Sequence, residues 1–154
     1  MLKEGDRVPD VRLTGLEGQA ISPADFLGQK LVLYFYPKDD TSGCTREALD
    51  FTALADEFEN AGTWVLGVSK DTPGKHRKFI DKHRLKVKLA SDDEGEGCKA
   101  FGTWGEKSLY GRKYMGIDRS TFLIDRNGRI HRVWRKVKVP GHAAEVLEAA
   151  RELP

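Results

Sequence analysis

The sequence predicts an α/β fold, a central mixed β-sheet with helices on both faces and a β-hairpin at its N-terminal end. Three observations predict it. Lys30 to Tyr36 (KLVLYFY) is a near-continuous run of apolar and β-forming residues, the pattern of a strand covered on both faces. An amphipathic helical stretch and a second buried strand follow it, which makes a βαβ unit. Near the C-terminus, two strands joined by a tight turn and then a helix add an antiparallel component, so the sheet is mixed.

Taken in order, Val11 to Thr14 and Gln19 to Ile21 flank the turn-forming Glu17-Gly18 and predict a short hairpin. Lys30 to Tyr36 is the central strand. Cys44, Ala48, Phe51, Ala55 and Phe58 recur at helical spacing, and Ala61-Gly62 closes that helix before the strand Thr63 to Ser69 (TWVLGVS). Thr72-Pro73 reads as an N-cap followed by proline at the first helical position, which opens a helix to about His83. Val87 to Ala90 is a short strand and Glu94 to Phe101 a short helix. Ser120 to Asp125 and Arg129 to Trp134 are strands joined across Asn127-Gly128, a dipeptide favoured by type I′ turns, and Ala143 to Glu152 is the last helix.

The 154 residues suit one domain, residues 1–154, with no repeat, low-complexity tract or linker to divide it. A net charge of +2 creates no field that demands a polyanionic partner. The longest apolar run, Leu31 to Tyr36, is too short to span a bilayer, and MLKEGDRVPD lacks the pattern of a signal peptide, so the expected location is the cytoplasm. Thiols stay reduced there, so the only two cysteines, Cys44 and Cys98, are either inert core residues or redox chemistry.

Cys44 is the candidate nucleophile. It lies in PKDDTSGCTREALDF, where the central strand ends and the first helix begins. Unpaired N–H groups and the positive end of the helix dipole favour a thiolate there. Cys44 shares a face with Ala48, Phe51 and Ala55, so its sulfur points toward the sheet. Pro37 ends the strand and stiffens the turn. Thr41, three residues before the cysteine, can donate its hydroxyl to a thiolate or a bound oxygen. The N–H groups of Gly43 and Cys44 converge on the same spot, and Gly43 lets a ligand approach the backbone closely.

Pro37, Thr41 and Cys44 reproduce the Pro, Thr, Cys signature of peroxiredoxins, and the chain most resembles the Q-type subfamily, the bacterioferritin comigratory proteins. YFYPKDDT, FGTWGEKSLYGRKYMGIDRSTFLID and RVWRKVKVPGHAAEVL share that character, so the likeness covers essentially the whole chain. It implies a thioredoxin-like fold and the reduction of hydrogen peroxide or organic hydroperoxides with no metal, haem or flavin. It also implies Cys44 as the peroxidatic nucleophile, Thr41 as the hydroxyl that orients the peroxide, Pro37 as a shield against water, and Arg119 as the source of a guanidinium. Negative charge builds on the departing oxygen as a thiolate attacks an O–O bond, and fixed donors meet it without reorganising. A planar, permanently charged arginine can serve sulfur and peroxide together.

The chain departs from the family in two places. Ser42 stands where PGCT usually has proline, and Leu49 stands where a resolving cysteine is often found. The other family position for that cysteine falls near Ile80. Only Cys98 remains, and it reads either as a partly buried helix residue or as the resolving thiol. The expected cycle uses one cysteine, with a small thiol, a thioredoxin or a glutaredoxin as the external reductant. The family likeness leans toward a monomer. Alternatives are a two-cysteine cycle through Cys98 and a redox-responsive binding protein switched by Cys44 oxidation.

From Gly111 to Lys138 there are 9 Lys or Arg against 2 Asp, a pattern that could contact nucleic acid but reads better as the solvated face of an edge strand. Glu47, Asp50, Asp56, Glu57 and Glu59 read as the outer face of the Cys44 helix. His76, His83, His131 and His142 show no tight ligand spacing, which argues against a metal site and against a cysteine hydrolase.

Overall fold

A computed structural model describes all residues, 1–154. Seven strands form one mixed sheet in the order β2-β1-β5-β4-β3-β8-β9. The strands are β1 (Leu13–Thr14), β2 (Ala20–Ile21), β3 (Lys30–Phe35), β4 (Thr63–Ser69), β5 (Lys88–Ser91), β8 (Ser120–Ile124) and β9 (Ile130–Trp134). β3 pairs in parallel with β4 and antiparallel with β8, and β4 pairs in parallel with β5. All six residues of β3 are buried, as its unbroken apolar run requires of a central strand. Successive side chains of a strand point to opposite faces. Val32 and Tyr34 therefore enter one core, with Cys44, Phe51, Phe58, Phe79 and Val146. Leu31, Leu33 and Phe35 enter the other, with Cys98, Phe101, Phe122 and Ile130.

The helices divide unequally between the two faces. α1 (Ser42–Ala53), α2 (Ala55–Asn60), α3 (Pro73–His83) and α5 (His142–Glu152) supply the first core, and the short α4 (Glu96–Ala100) the second. The single helix expected from Cys44 to Phe58 is two helices. At Leu54 the backbone N–H turns to the carbonyls of Phe51 and Thr52, and the chain then restarts as α2. No proline or glycine marks that break. Phe51 and Phe58, on either side of the break, share one core with ring centroids 5.8 Å apart. Thr72 caps α3 as expected, accepting from the Lys75 N–H at 3.3 Å.

A two-stranded ribbon, β6 (Trp104–Leu109) and β7 (Arg112–Ile117), stands apart from the main sheet and is absent from the expected element order. The type I′ geometry expected at Asn127-Gly128 occurs here instead. Tyr110 and Gly111 both have positive φ, 51° and 78°, between the paired residues Leu109 and Arg112. At the β8–β9 turn only Gly128 is left-handed, with φ 81°, while its N–H bonds the Asp125 carbonyl. That is a type I turn followed by a bulge glycine.

Most of the basic run after Gly111 is exposed, and four of its arginines are engaged within the fold. Arg126 donates to the Gly28 carbonyl at 2.9 Å, Arg129 to that of Gly5 at 3.3 Å, and Arg135 to those of Phe101 and Gly102 at 3.2 Å each. Arg132 faces Glu145 at 3.5 Å and lies over the Trp134 ring. Arg126, Arg129 and Arg135 thus satisfy loop carbonyls that regular structure leaves open.

His142 opens α5 with its ring buried beside Phe51 and Trp134, and its Nε2 shares a hydrogen bond of 2.8 Å with Thr121 Oγ1. Burial pushes its pKa from the usual 6.5 down to about 4. Between those values the unfolded chain takes up a proton that the folded chain refuses. The resulting stability is complete above the unfolded pKa and is lost as pH falls toward the folded one. Urea unfolding at pH 7 and pH 5 should show wild type losing about 1–2 kcal/mol more than His142→Gln. Equal losses would show that this ring does not set the acid slope.

Candidate active site

β3 ends at Phe35, and the loop 36–41 carries the chain from the sheet to α1. Thr41 is the N-cap of α1, with extended backbone (φ −90°, ψ 156°), which makes Cys44 the third helical residue. The N–H groups of Ser42, Gly43 and Cys44 have no hydrogen-bond partner, so three free donors and the positive helix end lie in the same first turn as Cys44. Cys44 is 2% exposed, with its side chain on the inner face of α1 beside Ala48 and Phe51.

The residue that completes the site comes from far along the chain. Arg119 lies between the ribbon and β8, and its backbone is fixed from both sides. Asp118 N–H donates to the Thr103 carbonyl at 2.7 Å, and the Arg119 carbonyl accepts from Val137 N–H at 3.0 Å. From there the guanidinium donates through Nη2 to Cys44 Sγ at 3.4 Å and through Nη1 to Glu47 Oε1 at 2.6 Å. Burial works against its charge, but Glu47 and Cys44 together outweigh burial and hold the Arg119 proton more tightly than usual.

Glu47 differs most from the sequence reading. Placed above on the outer face of the helix, it is 1% exposed and lies inside the site. It stands three residues after Cys44, and residues i and i+3 share a helical face, so the spacing carried the signal. Burial pushes its carboxyl up to about 7, against the pull of Arg119, and Oε2 has no partner. The 2.6 Å contact favours an ionised carboxylate, whereas desolvation favours a neutral one. A carboxyl balanced near neutrality reconciles the two.

Thr41 differs from expectation in detail. The Thr41 hydroxyl gives its proton to the Lys38 carbonyl at 2.8 Å rather than to the sulfur, which leaves its lone pairs as acceptors. A Cβ at Gly43 would sit 3.1 Å from Arg119 Nη2, so glycine there also leaves room for the guanidinium. Pro37 is half-buried at the start of the loop.

The loop between Pro37 and Thr41 is tied to α3 by two successive acids. Asp40 has a left-handed backbone (φ 60°), and its carboxylate meets Lys82 Nζ at 2.7 Å and His83 Nε2 at 2.8 Å. Asp39 accepts from Tyr36 Oη at 2.5 Å and pairs with His76 Nδ1 at 2.7 Å. His76 and His83, which show no ligand spacing in the sequence, act here as partners of loop carboxylates.

Cys98 lies across the sheet from Cys44. It is fully buried in the core with Leu31, Leu33 and Phe35, and its N–H donates to Asp92 at 2.8 Å. Burial above all, together with Asp92, pushes its thiol up to about 12. Both cysteines are free thiols.

Residues 4–133 match the model of the AhpC/TSA family. Peroxiredoxin Bcp of Bacillus subtilis is 46% identical over 149 residues, covering 97% of this chain and 95% of that protein. Peroxiredoxin Bcp of Escherichia coli K12 is 42% identical over 98% of this chain and 97% of its own. Among solved structures, a mutant of PrxQ from Xylella fastidiosa superposes with a TM-score of 0.92 at 40% identity, covering 99% and 97% of the two chains. The bacterioferritin comigratory protein of Xanthomonas campestris, described for its alkyl peroxide reduction activity, superposes with a TM-score of 0.87 at 42% identity over 96% and 98%.

Proposed function

We propose that this chain, which belongs to the AhpC/TSA family and is a Q-type peroxiredoxin, reduces hydrogen peroxide and organic hydroperoxides through a sulfenic acid formed on Cys44. The observation that carries the assignment of residues is the Arg119 guanidinium, which donates to Cys44 Sγ and to buried Glu47 at once.

The Cys44 thiolate attacks one peroxide oxygen. An S–O bond forms as the O–O bond breaks, the sulfur loses two electrons, and the departing alkoxide or hydroxide takes a proton to leave as alcohol or water. Arg119 and the free N–H groups of Gly43 and Cys44 meet the negative charge that moves from sulfur to the leaving oxygen. Thr41, whose proton is committed to Lys38, accepts the O–H of the peroxide and sets its orientation. Pro37 keeps water from the mouth of the site, and Glu47 holds the guanidinium in line.

The cycle closes with external thiols. A first thiol attacks the sulfenic acid, releases water and leaves a mixed disulfide, which a second thiol displaces to restore Cys44. A small thiol, a thioredoxin or a glutaredoxin supplies both equivalents in a thiol-reducing compartment, the cytoplasm. The protein acts as a monomer, a reading supported by a site whose sulfur, guanidinium and carboxylate all come from one chain. The position of Cys98 across the sheet favours the one-cysteine cycle over an intramolecular disulfide. Cys98→Ala should keep turnover with added thiol within about twofold of wild type, as expected for a buried group away from the chemistry. Mass spectrometry after one equivalent of peroxide should find no Cys44–Cys98 disulfide, and finding one would refute the one-cysteine cycle.

A further inference from the structure

Asp71 lies outside the group formed by Cys44, Arg119 and Glu47. It is buried just beyond β4, yet it is bonded to the loop that precedes the nucleophile. Its Oδ2 accepts from Ser69 Oγ at 2.6 Å and from the Asp39 N–H at 2.8 Å. That N–H belongs to the same peptide unit as the Lys38 carbonyl. No peptide bond in the chain is cis, so N–H and carbonyl point in opposite directions from one rigid plane. On its far side, the Lys38 carbonyl accepts the Thr41 hydroxyl at 2.8 Å. A buried carboxylate and the hydroxyl at the site are thus two ends of one planar lever.

The Asp39 side chain holds the lever in place. Tyr36 Oη donates to Oδ1, and His76 Nδ1 lies 2.7 Å from Oδ2. The other nitrogen of His76 donates to the Ala90 carbonyl at 3.0 Å, which fixes the ring.

We propose that Asp71 is a positioning residue for peroxide reduction. By anchoring the Lys38–Asp39 peptide it turns the Lys38 carbonyl onto Thr41, and so aims the hydroxyl's lone pairs at the substrate. The proposal rests on the reading of Thr41 as the group that accepts the peroxide O–H. Asp71 touches no reacting atom. Its loss therefore slows the peroxide step only while the Thr41 hydroxyl is there to be misaimed, whereas a merely structural role would lower stability and slow catalysis whether or not Thr41 is present.

The test is the second-order rate constant for oxidation by hydrogen peroxide, measured by stopped flow on wild type, Asp71→Ala, Thr41→Val and the double variant. Thr41→Val should slow the step by about 30- to 100-fold and Asp71→Ala by about tenfold, as expected for a displaced orienting group. The double variant should be no more than about twofold slower than Thr41→Val alone. Asp71→Asn keeps an acceptor oxygen for both donors and should return the rate to within about threefold of wild type. If Asp71→Ala does not fold, Ser69→Ala releases the same carboxylate and should cost about threefold, again only while Thr41 is present.

Losses that multiply in the double variant, or an Asp71→Asn as slow as Asp71→Ala, would overturn the proposal while leaving the role of Thr41 intact. A Thr41→Val protein as fast as wild type would overturn the reading of Thr41 and this proposal with it.

Discussion

Replacing Cys44 with serine should remove all peroxide consumption above the background of peroxide with free thiol, while the protein stays folded. The sulfur is the only atom of the site able to form and release an S–O bond. A serine hydroxyl in its place is neither ionised near neutrality nor polarisable enough to attack an O–O bond. The loss should be at least about 10⁴-fold, down to the background of peroxide with free thiol, because removal of a nucleophile leaves only the binding contributions of the site. The fold tolerates the change. The serine oxygen is smaller than sulfur, and Arg119 Nη2, now 3.4 Å from Sγ, supplies a donor for it. Stability should therefore change by no more than about 1 kcal/mol, the scale of one exchanged hydrogen bond. Coupled peroxide assays and urea unfolding on the same preparation separate the two effects. Turnover above a few per cent of wild type in a folded Cys44→Ser protein would place the nucleophile elsewhere.

How much of this arrangement could be read from the residues depends on how local its causes are. The apolar run of β3, the Thr72-Pro73 start of α3 and the glycine before Cys44 act over a few residues, and the strand, the helix and the helix-start sulfur lie where that local pattern puts them. The break at Leu54 is different. Ala53, Leu54 and Ala55 are all compatible with a continuous helix, and the interruption at Leu54 is marked by no breaking residue. The β6–β7 ribbon hides for a similar reason. Its type I′ turn places a tyrosine at positive φ, a position that sequence patterns reserve for asparagine, aspartate or glycine.

Within the candidate site, Cys44, the proposed nucleophile, announces itself through its place in the chain. Its partners do not, because they are gathered by tertiary folding. Arg119 is 75 residues away and is known from sequence only through family resemblance. Glu47 carried the i+3 signal, but a carboxylate is ordinarily read as solvent-facing, and only the arrival of a guanidinium makes its burial tolerable. The direction of the Thr41 hydrogen bond depends on a single peptide plane, which no spacing rule reaches.

Arg119→Ala should lower the second-order rate constant with hydrogen peroxide by about 10² to 10³, the range found when one preorganised donor to a developing anion is removed. In the proposed step the guanidinium contributes twice, as a cation facing the sulfur and as a donor to the peroxide oxygens. Only 3.1 Å separates Nη2 from the place a Cβ would occupy on Gly43, so the removed group leaves a gap directly over the helix start. Breaking a buried ion pair ordinarily costs about 3–5 kcal/mol, because the remaining charge is left uncompensated. Here the cost should be nearer about 1–2 kcal/mol, because Glu47 can neutralise itself by taking up a proton. Its carboxyl already stands at about 7 with the arginine present, and loss of the cation can only raise it. Two measurements check this account: stopped-flow oxidation, and urea unfolding as a function of pH. In the variant, Glu47 is protonated when folded and ionised when unfolded at neutral pH. That raised native pKa makes stability fall as pH rises from the unfolded carboxylate range toward the folded value, with the same slope as in wild type but continuing above pH 7, where the wild-type fall levels off. Arg119→Lys should recover less than a tenth of the lost rate, since a single ammonium cannot bond Glu47 and the sulfur in the fixed geometry of the planar fork. An Arg119→Ala protein that reacts within about threefold of wild type would mean that the helix start alone supplies the electrostatic stabilisation.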